Sequence, residues 1–118
     1  DNYLQRAKYN YSKLALVVLE DCCKIGEHTL KGFEKNEFSL LNKHNLDYYF
    51  ENDCLNIILP EFGRESTQKF VQGLKQEIAE QINIYSCEVG MAIYPDDAIT
   101  SEEMIECAQK DMSNICKL

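Results

Sequence analysis

No apolar run in this chain reaches membrane-spanning length, and its first residues lack the charged, apolar and small-residue pattern of a secretory leader. A cytoplasmic location with no direct membrane contact is therefore expected. Basic residues are scarce, 12 Lys and Arg against 20 Asp and Glu, for a formal net charge of -8. Such a surface repels phosphate, so neither a nucleic-acid binder nor a module docking on anionic lipid is expected. The six cysteines (Cys22, Cys23, Cys54, Cys87, Cys107 and Cys116) form no C-x-x-C pair, so the usual zinc and redox spacings are missing. Adjacent Cys22 and Cys23 suit a disulfide framework badly, and the ordinary reading is reduced, mostly buried thiols. No repeat, linker or low-complexity tract divides residues 1–118, so one domain is expected. Its abrupt opening at Asp1-Asn2-Tyr3 suggests a piece of a larger protein.

What is present is ordinary globular composition, 45% hydrophobic and 27% charged. Residues 3–11 suit a lead-in helix. Leu14 to Leu19 is a continuous apolar run with two β-branched residues, the mark of a strand buried on both faces. Ile25 to about Leu41 has helical spacing, with Leu30, Phe33 and Leu41 near one stripe. Asp47–Phe50 and Leu55–Leu59 read as two strands of a hairpin, closed through Glu51, Asn52, Asp53 and Cys54 and ended by Pro60. Residues 65–82 form an amphipathic helix with Phe70, Leu74, Ile78 and Ile82 on one face. From Ile84 to Tyr94, Tyr85, Cys87, Val89, Met91 and Ile93 alternate with Ser86, Glu88, Gly90 and Ala92, which predicts a strand with one apolar face. Thr100 and Glu103 form a capping box ahead of a last helix that buries Met104, Ala108, Met112 and Ile115. The order β-α-β-β-α-β-α is an α+β, ferredoxin-like split βαβ arrangement with an extra C-terminal helix. Many unrelated activities share it, so it names no function by itself.

Three stretches add a resemblance. Tyr49-Phe50-Glu51-Asn52-Asp53-Cys54-Leu55-Asn56-Ile57-Ile58-Leu59-Pro60 resembles the R-Y-G-G-D-E-F-x-x-L-L-P hairpin of GGDEF (diguanylate cyclase) domains. Val89-Gly90-Met91-Ala92-Ile93-Tyr94-Pro95 is similar to their S-I-G-I-A-x-Y-P strand, and Gly26 to Phe33 to their G-D-x-x-L-x-x-F segment. The resemblance runs from about Leu4 to Cys116, and it rests on the order and spacing of the three together.

It also implies a series of losses. In active members the hairpin glycines let backbone approach the GTP phosphates; Glu51 and Asn52 stand there, one bulky and anionic. Of the motif's two acids only Asp53 remains, followed by Cys54. Glu20 matches the metal-holding carboxylate of the first strand, while Cys22 replaces its second acid and is a poor ligand for a hard cation. The family's F-K-x-I-N-D-x-Y-G-H helix, whose Asn and Asp recognise guanine, is reduced to Asp21-Cys22-Cys23-Lys24-Ile25. The R-x-x-D inhibitory site becomes Asn42-Lys43-His44-Asn45, without the arginine or the aspartate. Cyclase chemistry needs two metals clamping an in-line displacement, so a degenerate, non-catalytic domain with no cofactor and no metal is expected.

Sharper readings stand beside that one. Glu20, Asp21 and Asp53 could form a residual metal site or simply be solvated strand-end acids. Cys22, Cys23 and Cys54 could hold a soft metal or fill a vacated pocket. Tyr48, Tyr49 and Phe50 could stack on a base or pack against a helix. His28 and His44 carry no partnered acid–base pattern. The expectation is a regulatory module of bacterial cyclic di-GMP-type signalling, working by protein–protein contact or dimerisation. The alternative is a receptor for cyclic di-GMP or GTP, with Lys24, Lys43 and Arg64 as the candidate cations near the hairpin.

Overall fold

Six apolar residues in succession, Leu14 to Leu19, need cover on both faces. The computed structural model, which describes residues 2–21, 46–51, 54–82 and 87–112, gives them that cover. They lie in strand β1 (Leu14–Asp21) at the middle of a four-stranded antiparallel sheet. Strands β2 (Asp47–Glu51), β3 (Cys54–Pro60) and β4 (Cys87–Tyr94) complete it in the order β2-β3-β1-β4. β3 separates β1 from β2 and runs antiparallel to both, the split arrangement expected from the sequence. Three helices are described: α1 (Asn2–Asn10), α2 (Arg64–Ile82) and α3 (Ser101–Met112). The helix expected over residues 25–41, the strand start at 84–86 and the burial of Ile115 lie outside the described residues.

Side chains alternate across the sheet and build two cores. Ala15, Val17 and Leu19 join Leu55, Ile57, Leu59, Val89 and Ile93 beneath Phe70, Val71 and Leu74 of α2. Leu14, Leu16 and Val18 point the other way, toward Leu4 and Ala7 of α1 and Met104, Ala108 and Met112 of α3. Val17, Val18 and Leu19 have no exposed surface, and each such residue stabilises the fold by roughly 1.5–3 kcal/mol.

The sequence expectation of one apolar face on β4 is corrected here. Gly90 and Ala92 are buried as fully as Val89 and Ile93, because α3 lies on their side of the strand. A Cβ built on Gly90 would run into the Ala108 carbonyl and come within 2.7 Å of the Met112 amide nitrogen. Their small size is what lets helix backbone approach the strand; it is not a mark of solvent exposure.

Local caps close the helices. In α1 the Ser12 N–H donates to the Ala7 carbonyl (3.0 Å) and the Tyr11 N–H to that of Lys8 (3.4 Å), a Schellman ending with Tyr11 at φ 55°. At α3 the Thr100 hydroxyl accepts the Glu103 N–H (3.1 Å), as the capping box requires. The Glu103 carboxylate accepts the Ile99 N–H (3.1 Å), one residue earlier than the reciprocal bond of a standard box.

Candidate functional site

Register places the surviving site positions in one row across the sheet. Glu20 of β1 stands opposite Cys54 of β3 on one side and Glu88 of β4 on the other. Cys54 in turn stands opposite Glu51, the last residue of β2. Directly opposite residues have Cβ atoms ~5 Å apart, so Glu20, Cys54 and Glu88 are side-chain neighbours. Cys54 is a buried thiol outside any disulfide (7% exposed) in the core beneath α1 and α3, and Glu20 is half-buried beside it. One row inward, the buried Asn56 donates from Nδ2 to the Cys54 carbonyl at 3.3 Å.

This row brings together two of the expected positions, Glu20 and Cys54, and ends at the backbone of a third, Glu51. Cys22, Asn52 and Asp53, with the inhibitory-site positions Asn42 and Asn45, lie outside the described residues, as do Cys23, His28 and His44. Glu88 is a neighbour that sequence reasoning missed. It was read as one outward residue of an alternating strand, and only the β1–β4 pairing puts it against Glu20. The Glu20–Glu88 pair sets two carboxylates side by side and makes the row a poor seat for a triphosphate. Among the described residues no group of three or more His, Cys, Asp or Glu is arranged to hold a metal ion. The row offers two carboxylates and a thiol, and the thiol is a poor ligand for a hard cation such as Mg²⁺.

The expected proximity of Arg64 to the hairpin is corrected by the fold. Arg64 opens α2, just after β3 ends at Pro60, and Pro60 pairs with Leu14 at the start of β1. Six residues of strand separate that end from Glu20, roughly 20 Å. There Arg64 Nη2 donates to both carboxylate oxygens of Asp97, 2.6 Å to each. Asp97 also accepts the Ile93 N–H through Oδ2 (2.9 Å) and returns its own N–H to the Ile93 carbonyl (2.7 Å). Burial pushes the Asp97 carboxyl up, but the bonds from Arg64 and from the Ile93 backbone outweigh it and hold the carboxyl below its ordinary range. The hydrogen bond to Asp97 likewise raises Arg64.

These contacts have a structural purpose. Among the described residues β4 is an edge strand, and an edge presents unpaired amides to any passing strand. Asp97 takes the Ile93 amide and Asp111 of α3 takes that of Met91 (3.0 Å). Lys13 pairs with Asp96 at 2.7 Å and ties the start of β1 to the same turn. Cys107 Sγ donates to the Asp97 carbonyl at 3.4 Å. This end of the sheet is thus a pinned corner. Spacing in the sequence gave no sign of it, since Arg64 and Asp97 are 33 residues apart.

The aromatic strand divides between the two faces. Tyr48 packs against the α2-side core, while Tyr49, 37% exposed, lines an apolar crevice of about 60 Å³ between α1 and α3. None of the described helices is long and apolar enough to cross a membrane.

Comparison with known proteins bears on the fold. No protein-family model matches the chain, and no curated protein matches it. Solved structures do. A DGC protein from Thermotoga maritima superposes with a TM-score of 0.74 at 17% identity, over 93% of this chain and 86% of that one. The GGDEF domain of a Pseudomonas aeruginosa protein gives 0.71 at 16%, over 96% and 81%. A sensory box/GGDEF family protein from Caulobacter crescentus gives 0.70 at 13%, over 97% and 85%. The chain has the fold of GGDEF domains along nearly its whole length.

Proposed function

We propose that this chain is a non-enzymatic regulatory module of cyclic di-GMP-type signalling, built on the GGDEF fold and acting through contact with other protein domains or with itself. One observation carries the reading. The sequence has Glu51, Asn52 and Cys54 at the positions that the resemblance assigns to two glycines and an acid, and strand register sets Cys54 opposite both Glu51 and Glu20. Glu20 keeps its carboxylate, but its strand neighbours are a buried thiol and a second carboxylate. Phosphate binding wants backbone amides and cations at that place, and the sequence supplies bulk and negative charge. The described strands and helices bury two hydrophobic clusters around this site, a scaffold on which contact surfaces can be carried.

Calorimetric titration with cyclic di-GMP, and separately with GTP plus Mg²⁺, tests the reading against the receptor alternative. No heat from either ligand is the expected result. Micromolar binding of cyclic di-GMP would make the chain a nucleotide receptor instead. Its site would have to exclude Arg64, which is held by Asp97 at the far end of the sheet.

A further inference from the structure

A cleft of about 130 Å³ opens between α1 and the turn that follows β3, at the opposite end of β1 from Glu20. Arg6 and Asn10 line it from α1, Ser12 from the link to β1, and Glu61 from the turn. The Arg6 guanidinium carbon stands 5.9 Å from the centre of the Tyr3 ring, a cation–π contact that keeps the charge on the α1 side. Lys13 also lines the cleft, but Asp96 engages its ammonium at 2.7 Å. Neither Arg6 nor Glu61 forms an ion pair among the described residues, and the side chains of Asn10 and Ser12 make no hydrogen bond among them. The cleft thus has a cation on one side and an anion on the other, not joined to each other, with two neutral polar groups between.

The backbone is strained on both sides of this cleft. Among the described residues other than glycine, Tyr11 (φ 55°) and Glu61 (φ 65°) hold left-handed conformations. Glu61 lines the cleft, and Tyr11 sits between the lining residues Asn10 and Ser12. Backbone bonds fix both turns: the Glu61 N–H donates to the Lys13 carbonyl (2.8 Å) and the Ser12 N–H to that of Ala7 (3.0 Å). Strain of this kind concentrates at ligand clamps, where it holds binding groups in place before the ligand arrives.

We propose that this cleft binds a free α-amino acid with a small apolar side chain. The ligand carboxylate accepts hydrogen bonds from Arg6 and Asn10. Its ammonium donates to the Glu61 carboxylate and the Ser12 hydroxyl. Its side chain lies against Ala7, Leu14 and Pro60, the apolar part of the lining. Drug-sized ligands occupy roughly 300 Å³ or more, so this smaller space selects a molecule of few heavy atoms. Glu61 disfavours a plain anion, and Arg6 a plain cation. The site goes beyond the interaction reading, since it gives a module that acts by protein contact a small-molecule input.

Titration of the isotope-labelled chain with L-valine, followed by NMR, tests it. Valine is expected to shift the amide signals of α1 and Glu61 saturably, at millimolar concentration or below, as its few atoms allow. Isovalerate lacks the ammonium and isobutylamine lacks the carboxylate, and each should bind at least about tenfold more weakly than valine. Arg6→Gln and Glu61→Gln, with folding confirmed by circular dichroism, should each weaken valine by at least about tenfold. In Glu61→Gln, valine and isovalerate should bind nearly alike. Isovalerate or inorganic phosphate binding the wild type as tightly as valine would overturn the proposal and leave an ordinary anion site. A wild type that shows no saturable shift with valine would overturn the site itself. The nucleotide titrations above test the regulatory reading separately, so failure of one is distinguishable from failure of the other.

Discussion

The two sides of the sheet are built on different terms. On the α2 side, large aliphatic residues (Leu19, Leu55, Ile57, Leu59, Ile93) interlock with Phe70, Val71 and Leu74, and Phe62 meets Phe70 edge to face at 6.1 Å. On the α1/α3 side the strands offer Gly90 and Ala92, α3 replies with Ala108, and helix backbone comes down almost onto the strand. The first side is stabilised by buried area. The second is stabilised by close fit, and it leaves its outer helices charged and aromatic. The contrast shows how one sheet can carry two cores of different character on its two faces.

Substitutions can break that contrast. The largest effect is expected at Gly90→Val. The added side chain meets backbone of α3, which cannot move aside as a flexible side chain would. A loss of about 3–4 kcal/mol in urea unfolding is expected, with α3 displaced. Leu74→Ala, on the other side, should cost about 3 kcal/mol by leaving a cavity that the neighbours partly fill. If Gly90→Val proved nearly neutral, the close approach of α3 would be wrong.

The pinned corner sets a smaller effect. Asp97→Asn removes the charge that Arg64 grips and weakens the cover on the Ile93 amide, and about 1–2 kcal/mol should be lost at neutral pH. Because the folded-state carboxyl of Asp97 is lowered, its contribution is present above the unfolded-state value near pH 4 and is lost as pH falls through the lower folded-state value. Stability measured from pH 6 down to pH 2 should therefore fall less steeply in Asp97→Asn than in the wild type. Parallel curves would mean that the pair carries no net stabilisation.

The smallest effect should have the opposite sign. Tyr11→Gly relieves the left-handed backbone at the end of α1 and is expected to stabilise the monomer by up to about 1 kcal/mol in thermal or denaturant unfolding. A destabilised variant would show that the ring makes contacts the monomer needs.

Much of the fold was legible in the sequence because its signals are local. The unbroken run Leu14–Leu19 announced a strand covered on both faces. The 3.6-residue spacing of Phe70 and Leu74 announced α2, and Thr100 with Glu103 announced the start of α3. β4 was half misread because a small residue looks alike whether it faces solvent or a closely packed helix, and only the fold shows Gly90 beneath Ala108. At the site, Glu20 and Cys54 could be named from the resemblance. Glu88 beside them and Arg64 far from them required strand order, which spacing along the chain does not encode.

Incubation of the purified chain with GTP and Mg²⁺ or Mn²⁺, followed by chromatography of the nucleotides, tests the absence of cyclase chemistry most directly. Unchanged GTP is the result that the proposed non-enzymatic role predicts. Accumulation of cyclic di-GMP would contradict that account.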